Sequence, residues 1–313
     1  MIDMMAYPNL SSLTNDLIER WPRHAAYLEK SFAGRNTANL EVSEELSIIV
    51  KKLSTDVPGG IDTLCSDYRY LCEKIVLPEE LYFRRNGGYR LTKFEDAERE
   101  CYANPEFMNR YMNGLLVSDV MWANHAAAMT YYVRTYLPSL SKGSSHLEIG
   151  PGHGIFLFFA ASLTSVESVA AWDVSPTSIA NTRHALQTLG VTRPIELTLQ
   201  NLFDAGDAKK NGIFDSIVMS EILEHLEDPV AALRAAALWL RPGGKIWINV
   251  PANSPAPDHV YLFTSPEHVC EVVRSAGLDI IASDAFAMQN VPLAKAQKNQ
   301  MSVSCVVTAR KYD

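Results

Sequence analysis

From about residue 140 onward, short apolar runs alternate with longer amphipathic ones. His146–Ile149, Ser168–Asp173, Ile195–Gln200, Phe214–Met219 and Lys245–Val250 read as strands. Ile155–Leu163 and Pro229–Leu240 read as helices between them. Another helix opens at Ser175-Pro176, with Ser175 as its N-cap and Pro176 at the favoured first position. Pro242-Gly243-Gly244 is a turn before the fifth strand. Pro266–Ala276 is a helix ended by Gly277, and Asp279–Ser283 and Ser302–Ala309 are two final, mutually paired strands. This alternation predicts a doubly wound α/β sheet.

The residues before 140 follow a different pattern. Asn9–Phe32, Ser43–Leu53 and Asp62–Val76 have helical spacing, and residues 101–137 read as long connecting helices. Between them, Glu80–Thr92 alternates around Asn86-Gly87-Gly88, which predicts a β-hairpin. Helices followed by a hairpin suggest a winged-helix-like module. The expected division is therefore 1–140, a mainly helical domain for dimerisation and substrate capping, and 141–313, the α/β domain.

The chemistry concentrates where the first strand meets its helix. His146–Phe156 is a short apolar strand, a carboxylate at Glu148, glycines at Gly150, Gly152 and Gly154, and then an apolar helix start. Glycines so spaced let the backbone turn sharply and approach a ligand at the mouth of a parallel sheet. A dinucleotide fingerprint, G-x-G-x-x-G, would need glycine at Ile155 or Leu157. The observed E-x-G-x-G-x-G instead resembles motif I of the class I S-adenosylmethionine (SAM)-dependent methyltransferases. Three further segments match that family in order. Val169–Ser175 ends an apolar strand in Asp173, Asn201-Leu202-Phe203-Asp204 follows strand three, and Phe214–Pro229 contains Ser220-Glu221-Ile222-Leu223-Glu224-His225.

The resemblance implies a Rossmann-like methyltransferase sheet with SAM as cofactor. It implies that Glu148, Gly150, Gly152 and Gly154 hold the methionine end. Asp173 takes the ribose hydroxyls, as a carboxylate can accept from a vicinal diol. Val174 flanks the adenine, and Trp172 either joins it or is core. Asn201 and Leu202 lie at the adenine edge, where Asn201 departs from the family's usual Asp, while Ser220 and Glu221 border the reaction centre. Histidine is the natural base near neutral pH. The two candidates are His225, after strand four, and His259, in the Pro-rich loop after strand five. Glu221, Glu224, His225, Asp258 and His259 could converge as metal ligands, but no metal is expected, because no H-x-x-x-H or H-E-x-x-H spacing occurs. Nine of the thirteen tyrosines lie between Tyr68 and Tyr136, which suits an aromatic or amphiphilic acceptor. Tyr111 and His125 are the substrate-binding candidates in that half.

Charge and composition narrow the partners. Formal net charge is −8, and residues 41–100 hold nine Lys/Arg against thirteen Asp/Glu. A DNA-reading wing should be basic, so the expected partner is a small molecule, with no nucleic acid and no membrane, and the expected assembly is a homodimer. No apolar run is long enough to span a bilayer and no signal peptide is recognised. The five cysteines are scattered, which fits a cytoplasmic protein. The leading expectation is methyl transfer to a small molecule, in secondary metabolism. The alternatives are a SAM-binding regulator that contacts DNA and a methyltransferase acting on a macromolecule. Against the latter, Ser220–Leu223 stands where base-amine methylating enzymes carry an Asn-Pro-Pro-Tyr-type motif.

Overall fold

The computed structural model describes residues 6–204 and 212–312. Two compact units are present. One comprises Met1–Tyr131, Pro251–Leu262 and Ala285–Ser304, and the other comprises Tyr132–Val250, Phe263–Asp284 and Cys305–Asp313.

The first unit is helical: α1 (Pro8–Arg20), α2 (Ala25–Ala33), α3 (Thr37–Ser54), α4 (Gly60–Tyr70), α5 (Leu77–Asn86), α6 (Phe94–Ala97), α7 (Pro105–Met121) and α8 (Ala123–Tyr131). The single helix expected over Asn9–Phe32 is broken at Trp21, because Pro22 has no N–H to continue the ladder. Asn36 and Asn104 cap α3 and α7, accepting from the Asn39 and Phe107 amides at 2.9 and 3.1 Å. Where α7 stops, the Val120 and Met121 carbonyls take Arg35 Nη2 at 2.8 Å and Ser31 Oγ at 2.5 Å. The helix terminus thus receives a buried cation.

The expected hairpin at Glu80–Thr92 is not formed. Residues 77–86 continue as α5, and Gly87 adopts φ 72° and returns its N–H to the Phe83 carbonyl at 2.8 Å. Asn-Gly serves a helix stop as readily as a hairpin turn, since both need a left-handed residue. The winged-helix comparison, and the DNA-contacting regulator that relied on it, lose the feature that carried them.

The second unit is built on a mixed seven-stranded sheet. Its strands are β1 (Ser144–Ile149), β2 (Val166–Asp173), β3 (Glu196–Leu199), β4 (Phe214–Ser220), β5 (Leu240–Ala252), β6 (Leu278–Ala287) and β7 (Val303–Lys311). Their order is β3-β2-β1-β4-β5-β7-β6, so the two final strands are neighbours as expected. The pairs β1·β2, β2·β3, β1·β4 and β4·β5 are parallel. The expected turn at Pro242–Gly244 is absorbed into β5, where a register irregularity sets it against β4. Helices α9 (Ile155–Ala161), α10 (Pro176–Thr188), α11 (Pro229–Trp239) and α12 (Pro266–Ser275) flank the sheet, and α13 (Leu293–Lys298) belongs to the first unit.

Chain order reverses between β1 and β4, so the crevice of this α/β sheet opens at their carboxyl ends. Beneath it, Tyr132, Phe156 and Trp247 pack with ring centroids 4.8–5.4 Å apart. A polar chain threads this core. Tyr136 Oη meets Ser216 Oγ at 2.7 Å, and Ser216 Oγ meets His146 Nδ1 at 2.9 Å. Burial holds His146 neutral, its pKa pulled down to about 3. Among the described residues no helix is long and apolar enough to cross a membrane.

Candidate functional site

At the carboxyl end of β1 the chain runs through three left-handed glycines, Gly150 (φ 69°), Gly152 (φ 50°) and Gly154 (φ 71°). A side chain at Gly150 would run into Ile222, and one at Gly154 would press Thr182 Cγ2 at 3.2 Å. The turn is fastened by Thr182 Oγ1, which donates to the Gly152 carbonyl at 2.8 Å, and by the Gly150 amide on the Trp172 carbonyl at 2.8 Å. Glu148 lies just before it, 1% exposed, and its Oε2 has no hydrogen-bond partner. Burial pushes this carboxyl well above its ordinary value, and a hydrogen bond from the Leu157 amide only partly offsets that. A buried acceptor left in this state fits a ligand that brings a donor or a positive charge.

Asp173 ends β2. Its Oδ1 accepts from the Ser175 amide at 2.8 Å and its Oδ2 from Ser178 Oγ at 2.5 Å. These bonds orient the carboxylate and leave each oxygen lone-pair capacity for a diol. Asp173 pairs with Leu199 across β2·β3, and Val174 (60%), Leu199 (58%) and Phe203 (49%) are strongly exposed apolar side chains at this end of the sheet. Exposed apolar groups beside an oriented carboxylate suit a nucleoside. Trp172, in contrast, is core, packed edge-on against Phe214 and Trp239. Asn201 is exposed and its Oδ1 accepts the Phe203 amide at 2.9 Å, a local turn that consumes one lone pair of the expected adenine contact. Leu202 is buried.

At the end of β4, Ser220 Oγ accepts from Asn249 Nδ2 at 3.1 Å. Glu221 follows with φ 53°, in the left-handed region that a residue with a side chain rarely adopts. His225 closes the short turn Leu223–His225, half-buried, with Nε2 3.8 Å from Glu224 Oε1.

The first unit holds the remaining candidates. His259 is buried, its Nδ1 is 2.8 Å from the Ser254 carbonyl, and its ring lies 5.8 Å from that of Tyr89. A carbonyl only accepts, so Nδ1 carries the proton and, in the neutral ring, Nε2 carries the lone pair. Tyr89 Oη also accepts from the Ser254 amide at 3.1 Å. Tyr111 reaches the neighbouring residue, donating to Asp258 Oδ1 at 3.0 Å, while Tyr102 donates to Oδ2 at 3.2 Å. The Tyr111 hydroxyl, raised well above its ordinary pKa by burial and then by Asp258, is thus committed to the protein. His125 engages Ser118 at 3.2 Å and Asp119 at 3.4 Å on the neighbouring helix α7, and its ring meets that of Trp122 edge to face with centroids 4.8 Å apart.

Sequence reasoning missed Asn249, Leu199, Phe203 and Ser178, and read Asp258 only as a possible metal ligand. Asn249 did leave a signal, as a lone amide inside the apolar run Ile246–Val250.

A family model described as a methyltransferase domain matches residues 121–283. The chain is similar to the ubiquinone biosynthesis O-methyltransferase of Xanthomonas euvesicatoria pv. vesicatoria, 34% identical over 169 residues, which cover 48% of this chain and 67% of the relative. It is also similar to the enzyme of that name from Xanthomonas axonopodis pv. citri, 34% identical over 158 residues, covering 44% of this chain and 64% of the relative. The chain thus spans about two thirds of the length of these curated relatives. A solved structure, a putative sarcosine dimethylglycine methyltransferase from Galdieria sulphuraria, is similar with a TM-score of 0.48 and 13% identity, covering 75% of this chain and 98% of that one.

Proposed function

Because the chain belongs to the methyltransferase-domain family, with S-adenosylmethionine as its methyl donor, we propose that it methylates a hydroxyl of a small aromatic or amphiphilic molecule, with His259 as the base. The residues that would hold the donor are Glu148, Gly150, Gly152, Gly154, Asp173, Val174, Asn201, Leu202, Ser220 and Glu221. Bound there, SAM supplies a sulfonium-activated methyl group for in-line displacement. The protein aligns the acceptor, excludes water and removes the acceptor's proton.

The observation that carries the assignment of the base is the 2.8 Å contact of His259 Nδ1 with the Ser254 carbonyl, which directs the basic lone pair to Nε2. His225 is the weaker candidate, half-buried and beside the Glu224 carboxylate. Methyl transfer to a hydroxyl is supported by the names of the curated relatives. For Tyr111 the ring rather than the hydroxyl is the group on offer, since the hydroxyl is held by Asp258. His125 is the second acceptor-side residue of this proposal.

The test is transfer from labelled SAM across a panel of phenols and other small metabolites, with the methylated atom located by mass spectrometry. His259→Ala should lower turnover about 10²–10⁴-fold, the range for general base catalysis, while SAM affinity by calorimetry stays nearly unchanged. Equal loss of turnover and affinity would assign His259 to folding instead.

A further inference from the structure

Two features that folding alone does not favour meet at the end of β4. Glu221 sits at φ 53°, a conformation that persists in a residue with a side chain only when its surroundings over-determine it. Those surroundings are one residue of the neighbouring strand. The Glu221 amide donates to the Asn249 carbonyl at 2.8 Å, and Asn249 Nδ2 donates to Glu221 Oε1 at 2.9 Å. The same Nδ2 donates to Ser220 Oγ at 3.1 Å, and Ser220 is the register partner of Asn249 across β4·β5.

The second feature is Asn249 itself. It is 5% exposed, and its Oδ1 is buried without a hydrogen-bond partner. Turning the amide over would not help, because it would set Oδ1 against the Glu221 carboxylate. Ile246, Trp247, Ile248 and Val250 around it are all fully buried. An apolar residue would satisfy that strand without leaving an orphaned acceptor. Strain and an unsatisfied polar group in one contact pair mark a site kept for something other than stability.

We propose that Asn249 is a positioning residue that fixes the main chain and carboxylate of Glu221 at the ligand-facing end of β4. This rests on the reading that Glu221 borders the SAM site. Asn249 acts through Glu221, so its removal and the removal of Glu221 should not add.

The experiment is a double-mutant cycle read by equilibrium binding of S-adenosylhomocysteine, with thermal melting measured on each variant. Asn249→Ala and Glu221→Ala should each weaken binding about 10–100-fold, the scale of a hydrogen bond to a charged group, and the double variant should be no worse than Glu221→Ala. Asn249→Asp keeps the shape but replaces the donor by a like charge, so it should bind more weakly than Asn249→Ala while remaining folded. Additive losses, or an Asn249→Asp protein that binds as the unaltered chain does, would overturn the proposal and leave the role of Glu221 standing. Unchanged binding by Glu221→Ala would remove Glu221 from the site, and the proposal with it.

Discussion

Glu148 is buried with one carboxyl oxygen lacking a partner, and Glu221 holds a strained backbone. The Glu148 carboxyl is raised in the folded protein by burial, whereas in the unfolded chain it ionises near 4.5. A raised folded pKa means that the native state holds the proton longer. Its contribution to stability is present below pH 4.5 and is lost as pH rises toward the folded value. Glu148→Gln should therefore gain stability over the unaltered protein as pH is raised from 4.5 to 8, with the gap closing below 4.5. Denaturant midpoints across that range check this, and the same variant should bind SAM more weakly. Glu221 argues similarly through the backbone. Glycine adopts φ 53° without a steric penalty, and Glu221→Gly and Glu221→Ala both lose the Asn249 hydrogen bond, so Glu221→Gly should be more stable than Glu221→Ala by about 1 kcal/mol, less the extra entropy of the unfolded chain. A urea midpoint for Glu221→Gly no higher than that for Glu221→Ala would contradict the strain. Glu148 was legible in the sequence because it adjoins the glycines. The strain at Glu221 was not, because it depends on the neighbouring strand.

At the scale of elements, apolar runs followed by turn residues located the strands well. Ser175 caps α10 on the Ser178 amide at 3.2 Å, as its place before Pro176 implies. Local pattern failed at α5, where the same Asn-Gly pair satisfies two different elements; the helix that forms buries Phe83. The crossing of α4 and α7 was also invisible in the sequence. A Cβ at Gly114 would lie 2.7 Å from Leu71 Cβ and 2.9 Å from the Asp67 carbonyl oxygen. Asp67 cannot yield easily, since its carboxylate is held by Arg110 at 2.8 Å and Asn113 at 3.0 Å. In a free helix, Gly→Ala gains about 1 kcal/mol. Here overpacking should reverse the sign, and Gly114→Ala should destabilise by about 1–3 kcal/mol, measured by chemical denaturation.

Over the whole molecule, two buried histidines set the response to acid. Burial pulls His24 down to about 4, against a smaller opposing effect of Glu73, and pulls His146 down to about 3. Both titrate near 6.5 when unfolded, so the unfolded chain takes up their protons first. Stability is lost as pH falls from 6.5 toward those values, at up to about 1.4 kcal/mol per pH unit for each group. Glu148 opposes them above 4.5, and Asp284, raised by burial, does so above its ordinary value of 3.8. The net slope between pH 6.5 and 4.5 should favour unfolding in acid, and His146→Gln should flatten it in urea titrations. The sequence by itself determined the α/β class, the glycine turn after β1 and the carboxylate ending β2, because these depend on local spacing and backbone geometry, while the methyl donor followed from the resemblance of those motifs to the class I methyltransferases. The tertiary structure alone decided that residues 251–262 and 285–304 join the helical unit. It also decided that Ser254 sets the His259 tautomer and that Asn249 brackets Glu221. Each of those depends on atoms brought together from separate segments or neighbouring strands, and such contacts leave no periodicity to read.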